Sequence, residues 1–264
     1  MTKSNHISPL SARSIAVALG VGAGLSWTQF SGDVMRALSP VAVGAIPYGG
    51  PVLASLSDII VLAALICIPA GIGFGKVFKL SGLAAPIGRP LVVHSAIFIL
   101  AGAVCAFLAP VASGLSAADI AWLGLGGPLS EEIVYRGLAI GALMSIAGWR
   151  FLPAAFAPAI VFGIAHAAQG DGLGDSIGIV AITGIGGLLF GWLFVRWGFN
   201  LWPAIFAHIG LNTLWVVFAL GETAIGGWFG NVLRLVLISL IVLSALWLAP
   251  TAVRVNSSNS PNGI

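Results

Sequence analysis

The sequence predicts an all-α fold: a polytopic transmembrane helix bundle of about eight spans, with its polar working residues gathered among the helices of the second half. Three observations predict it. Charge is scarce: 11 Lys or Arg and 8 Asp or Glu make up 7% of 264 residues, against about 25% in an ordinary soluble domain. Hydrophobic residues reach 59% and mean hydropathy is +1.08. The apolar residues also fall into stretches of about 20, the length of a helix across the hydrocarbon core. A soluble globule cannot be covered with so few charges. The same composition excludes intrinsic disorder, a collagen-like repeat and a disulfide scaffold.

The spans are expected near residues 14–30, 52–74, 91–111, 120–147, 152–168, 177–195, 201–220 and 229–249. The first follows Lys3 and Arg13 and imitates a signal peptide. No A-x-A-like cleavage site follows it, so it reads as a retained signal-anchor span. The fourth is too long for a plain span, and Gly126-Gly127-Pro128 interrupts it. An irregular first part is expected to give way to a fresh helix from about Leu129, because proline suits a helix start better than a helix middle. Residues 1–111 then hold helices without a motif, 112–220 a motif-bearing core, 221–249 the last helix and 250–264 a polar tail that reads as disordered.

Loop charges orient the bundle. With the N-terminus inside, Lys3, Arg13, Lys76, Lys79, Arg89, Arg150, Arg196 and Arg254 fall in cytoplasmic segments. Asp33, Asp119, Asp171, Asp175 and Glu222 fall in outer loops, where Arg36 is the clear basic exception, and Arg234 sits just inside the last span. The positive-inside rule therefore predicts both termini of this multi-pass protein in the cytoplasm, and the cell membrane is its expected location. Basic cytoplasmic loops also account for the net charge of +3 without a nucleic-acid partner.

Within the spans, Gly20-VGA-Gly24 and Gly187-LLF-Gly191 have the small-xxx-small spacing that lets helices approach closely. Cys67 and Cys105 lie in apolar runs and read as small buried hydrophobes, with no metal-ligand spacing. Trp149, Trp197, Trp202, Trp228 and Trp247 stand near span ends and suit interfacial anchoring.

Four charged residues remain inside the spans, Asp58, Glu131, Glu132 and Arg136, together with His94, His166, His208 and Asn212. Each charge at the bilayer centre costs at least ~2.5–3.5 kcal/mol on insertion scales, so a run such as Glu131 to Arg136 points to function. Glu132 and Arg136 are four apart on one helical face and can pair. Glu131 points about 100° away and has no local partner, which suits a carboxylate acting as a base near neutral pH. Phe162-xxx-His166 and His208-xxx-Asn212 each lie along one face. His94 has no polar neighbour at helical spacing and reads as interfacial. Asp58 either pairs with Arg36 or Arg234 near the outer face or lines a cavity.

Glu131-Glu132-xxx-Arg136, Phe162-xxx-His166 and His208-xxx-Asn212, in this order on successive helices, resemble the motifs of the CAAX protease and bacteriocin-processing family, also called ABI. That family includes the type II CAAX prenyl endopeptidases and related bacterial intramembrane proteases. The resemblance covers roughly residues 115–220, and Asn200-LWPAIFAHIGLN is similar to the third motif region. It implies peptide-bond hydrolysis inside the membrane, on a membrane-associated protein or peptide substrate. Glu131 would activate a water as general base, His166 would position it, and His208 and Asn212 would donate to the oxyanion. Glu132 and Arg136 would support them. No cofactor is expected on this reading. The alternative is a divalent metal such as zinc, held by Glu131, His166 and His208 with a water in the fourth position, although the H-E-x-x-H helix is missing and Asn212 suits donation better than zinc ligation. Two further readings compete: a proton-coupled transporter relaying through the same residues, and a non-catalytic immunity or scaffolding protein of the same family. The loop charges place the site in the outer half of the membrane.

Overall fold

The computed structural model describes residues 11–221 and 223–250, and every element of regular structure among them is helical. The predicted polar tail beyond residue 250, Lys3, Arg254 and Glu222 lie outside the described residues.

Ser11 starts the first helix, α1 (Ala12–Trp27), by accepting the Ser14 amide at 3.1 Å. Two short helices, α2 (Ser31–Leu38) and α3 (Pro40–Ala45), fill what reads in the sequence as an outer loop. The chain then returns as α4 (Gly49–Ala70), antiparallel to α1. The small-xxx-small spacing acts here: Gly20 rests on the Leu65 backbone and Gly24 on Leu62, and a methyl group at either would push the helices apart. A third short helix, α5 (Phe74–Leu80), again replaces an expected loop before α6 (Gly88–Leu108).

The motif-bearing helix, α7, is continuous over 117–145. Ser116 and Asp119 open it with reciprocal capping bonds: the Ser116 hydroxyl accepts the Asp119 amide, and the Asp119 carboxylate accepts the Ser116 amide at 2.8 Å. Gly126-Gly127-Pro128 does not break it. Instead the helix widens to π turns over Ile120–Gly126, tightens to α over Gly127–Glu131, widens again over Glu132–Ile140 and closes as α over Gly141–Ser145. The wide turn lets Gly127 bond back to the Trp122 carbonyl, and Pro128, which has no N–H to give, follows carbonyls met by side chains instead, Leu123 by Asn212 at 3.3 Å and Gly124 by Thr213 at 3.4 Å.

The remaining helices are α8 (Phe151–Ala165), followed by the short turn Ala167–Gln169, then α9 (Leu173–Arg196), α10 (Trp202–Val217) and α11 (Trp228–Leu248). All eight predicted apolar stretches are thus helical. Five helices are long and apolar enough to cross a membrane: Gly49–Ala70, Gly88–Leu108, Phe151–Gln169, Leu173–Arg196 and Trp228–Leu248. Ala12–Trp27 and Trp202–Val217 are apolar but shorter, at 16 residues each. The chain is an integral membrane protein in which buried and exposed surface are alike apolar: Ile68, Phe107 and Trp247 are 78%, 89% and 83% exposed, as a lipid-facing belt requires.

The main core joins α1, α4, α7 and α8 around Val17, Leu62, Val134 and Ala155. Contacts at both ends hold the bundle in register. Tyr48, just ahead of α4, donates to Asp119 at 2.6 Å. That bond and those from Ser116 hold the Asp119 carboxyl below the usual carboxylate range, and the same bond pushes the Tyr48 hydroxyl up. Ala112 donates to the Val217 carbonyl at 2.9 Å, tying the ends of α6 and α10. Arg89 and Arg196 donate to carbonyls at the end of α11.

Two sequence expectations change. His94 is 1% exposed rather than interfacial, and its Nδ1 bonds the Pro90 carbonyl one turn back at 2.9 Å. Trp228 and Trp247 stand exposed as anchors would, whereas Trp197 is buried. Cys67 and Cys105 are both buried and free.

Candidate functional site

The site is built on α7, and the fully buried Glu132 is its hub. The Arg136 Nη1 donates to Glu132 Oε1 at 2.9 Å, one turn along the helix, with the two side chains 1% and 0% exposed. The same oxygen meets His208 Nδ1 on α10 at 2.8 Å. A lone carboxylate here would be untenable; two donors meet Oε1, while Glu132 Oε2 and Arg136 Nη2 are buried without a hydrogen-bond partner among the described residues. The arginine is sheathed in aromatic faces, with Phe162, Phe190 and Tyr135 at 4.5, 5.5 and 5.9 Å. Gly187 lets it sit there, since a methyl group would come within 3.3 Å of Nη2.

His208 is thereby fixed. Its ring stacks on Phe190 at 5.0 Å, and α10 is positioned from its start by Asn200, which donates to the Pro86 carbonyl and accepts the Trp202 amide. The other ring nitrogen, Nε2, faces Glu131 Oε2 at 3.7 Å. That is too long for a hydrogen bond, and both atoms are within reach of one water lying beside the line that joins them. Glu131, with 31% of its side chain exposed, is the one acid of the pair that opens outward. The sequence left it without a partner; the fold supplies one from 77 residues away, as the numbering shows.

His166 caps the end of α8, with its Nδ1 on the Phe162 carbonyl at 2.7 Å. This bond orients the ring and leaves Nε2 for other work. Asn212 donates to the Leu123 carbonyl at 3.3 Å, and its amide retains a second N–H.

The predicted residues line two adjoining cavities. A cavity of about 280 Å³ holds Glu131 and His166, together with Ser55, Asp58, Ser130 and Gln169. A second, of about 720 Å³, holds His166, His208 and Asn212 among apolar side chains such as Leu189 and Leu211. Phe162, His166 and Gln169 wall both. The sequence also left three partners of this region unassigned. Tyr135 and Phe190 look like ordinary core residues until the arginine is placed between them. Asp58, an acid in a span, lines the smaller cavity; it pairs with neither Arg36, which binds Asp33, nor Arg234, which donates to Asn231 and covers Trp215 at 4.4 Å.

Among the described residues, no group of three or more His, Cys, Asp and Glu side chains is arranged to hold a metal ion. The Nδ1 bonds of His208 to Glu132 and of His166 to the Phe162 carbonyl leave Nε2 of each ring free, and His208 Nε2 stands 3.7 Å from Glu131 Oε2.

Residues 113–214 match the family model described as Rce1-like: Type II CAAX prenyl endopeptidase Rce1-like. The matched stretch contains Glu131, Glu132, Arg136, His166, His208 and Asn212, and α1 to α6 lie ahead of it. No curated protein and no solved structure matches the chain.

Proposed function

We propose that this chain, Rce1-like over residues 113–214, is an intramembrane endopeptidase that hydrolyses a peptide bond of a membrane-associated protein or peptide with Glu131 as general base. The observation that carries the proposal is the 3.7 Å gap between Glu131 Oε2 and His208 Nε2, bounded by a carboxylate with access to a cavity and an imidazole anchored on buried Glu132. Glu131 takes a proton from a water, His166 Nε2 helps hold that water, and the resulting hydroxide attacks the carbonyl carbon. His208 in its imidazolium form, with Nδ1–H on Glu132, turns its Nε2–H to the oxyanion, and the free N–H of Asn212 joins it. Each such donor is worth about 2.7–4 kcal/mol in other systems. When the tetrahedral species collapses, the C–N bond breaks and the proton on Glu131 passes to the leaving nitrogen.

The metal-free reading is favoured because the H-E-x-x-H helix is missing and Asn212 suits hydrogen-bond donation better than zinc ligation. The site opens toward the outer half of the membrane, with both termini in the cytoplasm, on the strength of the loop charges. Purified protein retaining peptidase activity after EDTA or phenanthroline agrees with the metal-free reading; activity lost on chelation and restored by zinc overturns it. Glu131→Gln tests the function itself: cleavage should fall about 10²-fold or more with folding unchanged. A variant that still cleaves refutes the role of Glu131, and one that keeps a cellular phenotype without cleaving points to a scaffolding role.

A further inference from the structure

The two cavities that meet at Phe162 and His166 differ in chemistry. The larger is walled mainly by apolar side chains, including Leu189, Phe190, Leu211 and Ile238, and its polar lining, His208, Asn212, Asp119 and Arg234 among it, is the smaller part. The smaller is lined by Ser55, Asp58, Ser130, Glu131, His166 and Gln169. At about 30 Å³ per water, its 280 Å³ has space for several. Two of its polar residues come from α4, in the half of the chain that precedes the family match. Ser55 is hydrogen-bonded to Ser130 at 3.2 Å, which brings α4 to within one residue of Glu131. Asp58 Oδ1 is buried and has no hydrogen-bond partner among the described residues. An acid inside an apolar helix with an unpaired buried oxygen is costly unless something polar reaches it.

We propose that the smaller cavity is the water inlet of the site and that Asp58 is the positioning residue that keeps it wet, so that water and substrate approach Glu131 from different sides. The inference rests on the hydrolytic reading of Glu131. A membrane-embedded hydrolase must bring one water per turnover through apolar surroundings, and a chamber lined by hydroxyls and carboxyls does this while an apolar chamber receives the substrate segment. Asp58 acts through the water, which Glu131 then activates. The side chain at 58 needs polarity more than charge, because its task is to hydrogen-bond water.

The test uses the full-length chain with Cys67→Ala and Cys105→Ala. Ser55→Cys should react with a small charged methanethiosulfonate reagent, whereas Leu62→Cys, on the same helix at a fully buried position, should not. The charged adduct at position 55 should then slow turnover. In steady-state cleavage, Asp58→Leu should lower kcat about tenfold or more with KM held within about twofold, and Asp58→Asn should stay within about threefold of wild type. Ser55→Cys reacting no faster than Leu62→Cys overturns the inlet, and that measurement needs no variant at Asp58. Asp58→Leu turning over at the wild-type rate overturns the role of Asp58. Glu131→Gln separates the two levels: if it is inactive while the Ser55 and Asp58 results fail, only the inlet falls, and if it is active, the hydrolytic reading falls.

Discussion

Replacing Arg136 by methionine removes the cation from a pair that is 1% and 0% exposed, while filling much of the same volume. Glu132 would keep His208 at 2.8 Å but lose the guanidinium at 2.9 Å. Breaking one side of a buried pair costs about 3–5 kcal/mol. Loss of the desolvated contact with Phe162 at 4.5 Å, worth about 2 kcal/mol in such settings, is part of that cost. The upper half of the range is therefore expected, near 4 kcal/mol, or close to a 10³-fold fall in the folded-to-unfolded ratio. Equilibrium unfolding in mixed micelles, followed by circular dichroism, measures it. The double variant Glu132→Gln with Arg136→Met leaves no unpaired charge, so its loss should be smaller than the sum of the two single losses by at least about 1.5 kcal/mol. A single-variant loss under about 1 kcal/mol, or additive losses, would show that the pair does not hold the helix as argued.

Other outcomes follow from the same geometry. Asn212→Ala should lower kcat about 10²–10³-fold without a comparable loss of stability, since its one bond, to Leu123, is 3.3 Å long; a turnover change below fivefold, roughly, refutes its role. Gly20→Val should separate α1 from α4 at the Leu65 backbone and destabilise the N-terminal half, as thermal unfolding in detergent would reveal, whereas Gly22→Val, which meets open space, should not. The lowered Asp119 carboxyl contributes stability that is present above the ordinary carboxylate range and is lost as pH falls through its depressed folded value. Asp119→Asn should bring the ultraviolet ionisation of Tyr48, raised by the same bond, back toward ordinary phenol. Asp171→Cys should react with an impermeant thiol reagent from the outer side; reaction from the cytoplasmic side alone reverses the orientation.

Hydropathy made the long helices legible, because a run of about 20 apolar residues has few other uses. It could not show α2, α3 and α5, whose 6 to 8 residues are too few to stand out. The Glu132–Arg136 pair was legible because helical spacing is local. The bond from Glu132 to His208 was not, since 76 residues separate them and only packing brings them together. For the same reason Glu131 looked isolated in the sequence. His94 was misjudged because spacing shows side-chain neighbours and not the backbone carbonyl at Pro90 that satisfies it. Gly126-Gly127-Pro128 read as a break because sequence rules weigh α turns, whereas the chain uses a wider winding to carry them.

That winding bears on how such a helix tolerates insertion and deletion. A π turn takes up one residue more than an α turn. Removing a single residue between 120 and 126 would let the segment relax to α winding, keep the length of the helix nearly the same, and leave residues 127–145 on their present faces. The same deletion in a plain α-helix would rotate everything beyond it by about 100° and carry Glu131 out of its cavity. The stretch ahead of the glutamates can thus absorb a change in length that would scramble the site in a uniform helix, so relatives could differ there by a residue and still present both acids in register.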